Sequence, residues 1–325
     1  MPTSDPAQTG PAQTGPAQTD PARTDPAQTD PARTDPALIN DQLELIGMPT
    51  PLYPCTPTRL NTWQDCPRRY RFTYLDRPQP PKGPPWAHNS IGAAVHSALA
   101  DWWQLPRPER IPAAAQRLLR RRWLKDGFQD ADQSAQAGQR AVRWMIDYLN
   151  GIDPAAEPIG IERTVSTTTS TLILSGRVDR IDVIPEATPA AGALVIVDYK
   201  TGRHVPDADD ARASLALAVY AVAAARTLRR KCTRVELHHL PSGTRAVAEH
   251  TPGDLNQKVT AAESIGRGAA AADTAYRAGA RGDTVFPPNP SARCSWCDFR
   301  RHCREGQAAA PDREPWSSVV TDQPG

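Results

Sequence analysis

The 325-residue chain has no apolar run long enough to span a bilayer. Its N-terminus also lacks the basic-then-apolar pattern of a signal peptide. The expectation is therefore a soluble, cytoplasmic protein with no membrane partner. There is no Gly-x-x-x-x-Gly-Lys-Ser/Thr phosphate loop, so any motor driven by nucleoside triphosphates must belong to another chain. The excess of one charge sign over the other is small too. The formal net charge is only +2, which does not announce a nucleic-acid binder. Residues 1–40, however, hold five Asp and two Arg, which leaves +5 on the remainder.

Those first residues repeat Pro-Ala-Gln/Arg-Thr-Gly/Asp every five positions. A proline at that interval forbids a continuous helix, and almost nothing in the repeat could enter a core. Residues 1–50 are expected to form a disordered tail and 51–306 one domain. A second disordered tail is expected over 307–325.

Gly176-Arg-Val-Asp-Arg-Ile-Asp182 and Val195-Ile-Val-Asp-Tyr-Lys-Thr-Gly202 both read as strands. Leu172, Leu174 and Val178 alternate with polar residues in the first, and Val195 to Val197 make a short buried run in the second. The Pro-, Ala- and Gly-rich segment from Pro185 to Gly192 predicts an antiparallel hairpin between them. Residues two apart on a strand share a face, so Asp198 and Lys200 project together while Tyr199 points away. If the register brings Asp179 alongside, two carboxylates and an ammonium converge. Hard oxygen ligands on a rigid sheet suit Mg²⁺. A lysine beside the metal can orient the attacking water or neutralise charge on a phosphate. Charged pairs two apart are common on solvated strand faces, so Asp-x-Lys alone proves little.

In combination, Gly176-Arg-Val-Asp179-Arg-Ile-Asp182 and Val197-Asp198-Tyr-Lys200-Thr-Gly202 resemble the PD-(D/E)XK nuclease superfamily, in the branch of RecB-like exonucleases. That resemblance implies an α/β (mixed α+β) fold with a central mixed sheet flanked by helices and carrying helical insertions. It implies a deoxyribonuclease dependent on Mg²⁺ or Mn²⁺, an exonuclease in DNA repair or recombination. Asp179 and Asp198 would hold the metal, and Lys200 would serve the attacking water. Gly92-Ala-Ala-Val-His96 is similar to the family's Gly-x-x-x-His helix, so His96 joins them as a metal-site residue. A glutamate often stands where Glu162 falls, but Glu162 is not included in the expected set. The family's usual Gln, four residues before Tyr220, is here Ala216. DNA is the expected partner, single-stranded or at ends, with a helicase subunit as a second. The alternative is a catalytically weak DNA-binding or scaffold subunit of a helicase–nuclease complex.

Six cysteines in a cytoplasmic chain point to metal or redox chemistry before disulfides. Cys294, Cys297 and Cys303 need a fourth ligand, and Cys66 is the best-placed candidate. Zinc and a [4Fe–4S] cluster both take four thiolates, so spacing leaves the two open. Iron–sulfur relatives of the RecB-like branch, AddB-type nucleases and CRISPR-associated proteins among them, have one cysteine before the nuclease core and three after it. Trp63-x-x-Cys66-Pro-Arg-Arg-Tyr-x-Phe72 and Cys-x2-Cys-x5-Cys resemble that pattern, which implies a [4Fe–4S] cluster joining the N- and C-terminal segments. Cys55 and Cys232 fall outside it and read as structural.

Arg68-Arg69-Tyr70-Arg71 and Phe299-Arg300-Arg301 would either steer single-stranded DNA or frame the cluster. Along the chain, Asn89-Ser90 predicts the start of a helix over 91–103, and 107–150 predicts two more. A strand is predicted around 161–165, a helix over 211–228 and a strand over 233–240. Thr251-Pro-Gly-Asp254 predicts the cap of a long helix.

Overall fold

The computed structural model describes residues 51–184 and 192–319. The expected N-terminal tail and most of the hairpin connector lie outside the described residues.

The chain opens with β1 (Tyr53–Cys55), α1 (Pro57–Asp65) and α2 (Pro67–Tyr74), followed by α3 (Ala87–Trp103), α4 (Ala114–Arg122) and α5 (Ala131–Asn150). Next come β2 (Gly160–Thr168), β3 (Leu172–Val183), β4 (Leu194–Lys200), α6 (Ala208–Ala213), α7 (Leu215–Leu228), β5 (Cys232–His239) and β6 (Thr244–Glu249). The long α8 (Pro252–Arg277), short α9 (Gly282–Val285) and α10 (Arg304–Ala309) complete it, with a cysteine-bearing segment between the last two. Helix, three strands, helix, strand is thus the order of the centre, as the sequence implied.

β3 is the hub of a six-stranded mixed sheet. Along one edge it pairs antiparallel with β2; along the other it pairs parallel with β1 at its start and antiparallel with β4 at its end. The sheet continues through β5, parallel to β4, to β6. Helices cover both faces. On one, Leu99, Trp102, Leu118 and Met145 from α3, α4 and α5 pack on Val195 and Val197. On the other, Leu217 and Ala221 of α7 pack on Ile196 and Val235. Consecutive residues of β4 therefore enter opposite cores, which is why its apolar run is unbroken. Each such side chain contributes roughly 1.5–3 kcal/mol by leaving water.

Several boundaries differ from expectation for local reasons. Helix α3 begins at Ala87, one turn before the expected start at Ile91, and Ser90 Oγ donates to the Asp126 carbonyl and does not cap. The predicted helix over 211–228 is two helices, broken at Ser214, whose hydroxyl accepts from the Leu217 N–H. The C-terminal tail expected from 307 is ordered through 319. Helix α10 runs to Ala309, the Pro315 carbonyl accepts from the Ala87 N–H, and Val319 is buried against the α3 core. Cys55 and Cys232 are both buried in strands; burial pushes their thiols up, to about 11 and about 12.

One acid-sensitive contact holds β5. Burial pushes the Glu236 carboxyl up, but hydrogen bonds from His238 and Arg234 outweigh it and bring it to about 2, against an ordinary 4.5. A depressed carboxylate contributes stability that is fully present above pH 4.5 and is lost as the pH falls toward 2. Burial lowers His238 below its ordinary 6.5, so the unfolded chain takes up that proton first and the loss begins there. Glu236→Gln is expected to cost about 1–2 kcal/mol at neutral pH after solvent screening. It should also flatten the decline in melting temperature between pH 4.5 and 3, as thermal unfolding across that range would record.

Candidate active site

Three adjacent strands each bring one carboxylate to the same level. In the β2–β3 ladder the pairs Ile161–Arg180 and Arg163–Val178 bracket Glu162 and Asp179. In the β3–β4 ladder the pairing stops at Arg180–Val197, one step short of Asp179 and Asp198. Glu162, Asp179 and Asp198 thus form a row across the sheet. The ladders are irregular at that row. Glu162 has φ +47°, a left-handed conformation that non-glycine residues seldom adopt and that concentrates at functional sites. The burial rhythm of β3 also changes phase there, from Leu172, Leu174 and Val178 to Ile181.

Helix α3 supplies the imidazole. His96 Nδ1 lies 3.2 Å from Asp179 Oδ2. The same carboxylate oxygen accepts from the Tyr199 N–H at 2.9 Å. Gly92 lets the helix come close, since a Cβ there would lie 3.3 Å from Thr201 Oγ1. Donor atoms of His96, Glu162 and Asp179 all lie within 4.8 Å of one another. Asp198 stands beside this group, with Lys200 Nζ at 2.5 Å from its Oδ2. That contact lacks hydrogen-bond alignment, and the buried oxygen has no hydrogen-bond partner among the described residues.

The electrostatics fit a crowded anionic site. Burial raises the Asp198 carboxyl, with Lys200 opposing and Asp179 adding to the rise. Burial likewise raises Glu162, helped by the like charge of Asp179 and opposed by Arg177 and His96. Burial pushes His96 down, but the Asp179 hydrogen bond and the nearby carboxylates carry it above its ordinary value. Carboxylate oxygens crowded around one imidazole are the donor set of a hard divalent ion such as Mg²⁺ or Mn²⁺. The ligand-scale spacing of His96, Glu162 and Asp179 fits such an ion, with Asp198 beside them held by Lys200. His96, Glu162, Asp179 and Lys200 line a cleft of about 1190 Å³ whose walls also carry Arg122, Arg177 and Arg203.

The structure therefore brings together His96, Asp179, Asp198 and Lys200 and adds Glu162, which sequence reasoning left out. The signal that could have found it is register: Glu162 faces Asp179 only when β2 and β3 pair as they do. Gly176 has a packing reason as well, because a Cβ there would sit 2.4 Å from Tyr220 Cε1. Gly176→Ala should cost about 1–3 kcal/mol through overpacking. A Tyr220→Leu partner should restore part of it, measurable by a double-mutant cycle in thermal unfolding.

In a separate pocket, Cys66, Cys294, Cys297 and Cys303 come together. Backbone N–H groups of Asn289, Ser291 and Gly306 donate to Cys66, Cys294 and Cys303 Sγ, at 3.4, 3.4 and 3.3 Å. Burial pushes the Cys297 thiol up, against the pull of the Phe299 N–H. Arg68 pairs with Glu305 at 2.6 Å and Arg71 with Asp76 at 3.3 Å, while Tyr70 and Phe299 are buried. The Arg300 guanidinium donates to the Gly306 carbonyl. These basic and aromatic segments frame the cysteine pocket; none of these residues lines the carboxylate cleft.

A mixed sheet flanked by helices gathers carboxylates, a lysine and a histidine at one row, a donor set that a divalent ion could use. Residues 54–304 match the family model of the PD-(D/E)XK nuclease superfamily, and the chain belongs to that superfamily. It is, at that level, a metal-dependent nuclease fold of the hydrolase class. Comparison with curated proteins finds no significant match. Among the described residues no helix is long and apolar enough to cross a membrane.

Proposed function

We propose that the chain is a RecB-like deoxyribonuclease that hydrolyses DNA phosphodiester bonds with Mg²⁺ or Mn²⁺, acting on single strands or at ends as an exonuclease. The observation that carries this reading is the convergence of His96, Glu162 and Asp179 beside the Asp198–Lys200 pair in a cation-walled cleft. Asp179 and Asp198 hold the metal, with His96 and Glu162 completing its donors. A bound divalent ion polarises the scissile phosphate and makes a water nucleophilic near neutral pH, an effect of several kcal/mol on the barrier. The Lys200 side chain is 47% exposed, so its ammonium can leave Asp198 to orient that water and offset charge on the phosphate. Arg203 lines the cleft, as do Arg122, paired with Asp101 at 2.7 Å, and Arg177, paired with Glu162 at 2.7 Å, and these guanidiniums would meet the polyanionic backbone.

The four cysteines, in this reading, hold a [4Fe–4S] cluster. Zinc and a [4Fe–4S] cluster both take four thiolates, and the choice of the cluster rests on the resemblance of the cysteine pattern. The N–H donors aimed at the sulfurs favour thiolates. A role in repair or recombination beside a helicase partner follows from the family resemblance.

The test is purified protein incubated with Mn²⁺ and end-labelled DNA, linear and circular, single- and double-stranded. Degradation of linear single strands with circles left intact is expected. Cutting of circles would make it an endonuclease, and no cleavage of any form would favour the scaffold alternative.

A further inference from the structure

Behind the carboxylate row lies a buried polar chain. The Tyr199 phenol accepts from Trp103 Nε1–H at 3.2 Å and from Arg180 Nη1–H at 3.0 Å. The same guanidinium nitrogen donates to the Tyr148 hydroxyl at 2.9 Å, and Arg180 pairs with Asp182 at 2.8 Å. The Tyr148 hydroxyl meets His238 Nδ1 at 2.8 Å, and His238 Nε2 meets Glu236 at 2.7 Å. A carboxylate only accepts, so His238 donates from Nε2, and its Nδ1 accepts a hydrogen bond from the Tyr148 hydroxyl. Tyr199 and Arg180 are 3% and 4% exposed, and Tyr199 is among the residues lining the cleft.

Their positions in the chain give this network a second consequence. Tyr199 stands between Asp198 and Lys200, and Arg180 directly follows Asp179. The Tyr199 N–H donates to Asp179, while its ring meets the His96 ring edge-on at 5.8 Å between centroids. Trp103 belongs to α3, the helix of His96. One residue thus ties together α3, β3 and β4, which carry His96, Asp179 and Asp198, at a level where the β3–β4 ladder has already ended.

From this, and resting on the metal-site reading above, we infer that Tyr199 and Arg180 are positioning residues: the buried phenol–guanidinium pair sets the spacing of His96, Asp179 and Asp198 for a divalent ion. Groups that orient metal donors in this way change metal affinity about 10–100-fold when removed. A network that only stabilised the fold would lower the melting temperature and leave metal affinity alone.

The experiment is a Mn²⁺ titration followed by the electron paramagnetic resonance of free Mn²⁺, run well below the melting temperature. The proteins are wild type, Tyr199→Phe, Trp103→Phe and Asp179→Asn. Tyr199→Phe removes one oxygen and should weaken Mn²⁺ binding about tenfold or more, with DNA cleavage recovering as Mn²⁺ is raised. Trp103→Phe removes only one donor to that oxygen, should weaken binding in the same direction, and serves if Tyr199→Phe fails to fold. Unchanged Mn²⁺ affinity in both aromatic variants, with Asp179→Asn impaired, overturns the positioning role and leaves the metal site standing. Wild-type protein that binds no Mn²⁺, or Asp179→Asn that binds it as well as wild type, overturns the site itself, and the inference falls with it.

Discussion

Lys200→Ala is expected to give a folded protein that still binds Mn²⁺ but cleaves DNA about 10²–10³-fold more slowly. Its ammonium lies against Asp198 at the cleft wall, and the side chain is 47% exposed. Removing it deletes the charge that the proposed mechanism places at the phosphate, without opening a core. It also leaves Asp198 without its counter-charge, so some loss of melting temperature is expected in the absence of Mn²⁺. Losing an ammonium near the metal donors should if anything tighten cation binding, which separates this variant from a ligand mutant. Cleavage at saturating Mn²⁺ is the measurement. A rate within a few-fold of wild type would remove Lys200 from the chemistry.

The second large effect concerns the cysteine pocket. Protein purified without oxygen should be brown and contain iron, and Cys294→Ser should be colourless. The pocket joins Cys66, ahead of the nuclease core, to three thiols beyond it. In the chain-entropy limit a closure of that length contributes about 5 kcal/mol. The variant should therefore melt earlier and expose the segment after α8 to protease. That segment also anchors the start of α3, through the Trp86–Trp296 ring contact at 5.0 Å and the Trp86 Nε1 bond to Asp298. Loss of the closure is expected to reach the helix that carries His96. Colourless wild-type protein loaded with zinc would contradict the cluster assignment and leave the carboxylate site untouched.

The sequence carried the centre of the fold because its signals are local. Val195, Ile196 and Val197 mark a strand buried on both faces, and Thr251 with Asp254 makes the capping box that starts α8. Asp198 and Lys200 share a face by strand periodicity alone. Other features depend on pairing that periodicity cannot show. Glu162 joins the site through register and a positive φ, and nothing near it in sequence announces either. β1 is three residues long and includes Pro54, so only its parallel pairing with β3 makes it a strand. Ser214 ends one helix and starts another in a stretch whose apolar pattern runs straight through. Residues 307–319 are polar and proline-containing, yet contacts from Pro315 and Val319 order them against α3. Arg180 and Tyr199 looked like ordinary strand residues in sequence, because their shared buried network exists only once α3, α5 and β5 are assembled around them. Ala216, where related nucleases carry Gln, sits in the first turn of α7, and nothing in the structure explains the difference.

The most direct test of the central claim is the dependence of DNA cleavage on Mn²⁺ in wild type and Asp198→Asn. The account predicts cleavage by wild type that rises with Mn²⁺, stops with a chelator, and is absent in Asp198→Asn at every Mn²⁺ concentration while the fold persists. Cleavage that survives the chelator, or an Asp198→Asn protein as active as wild type, would contradict it.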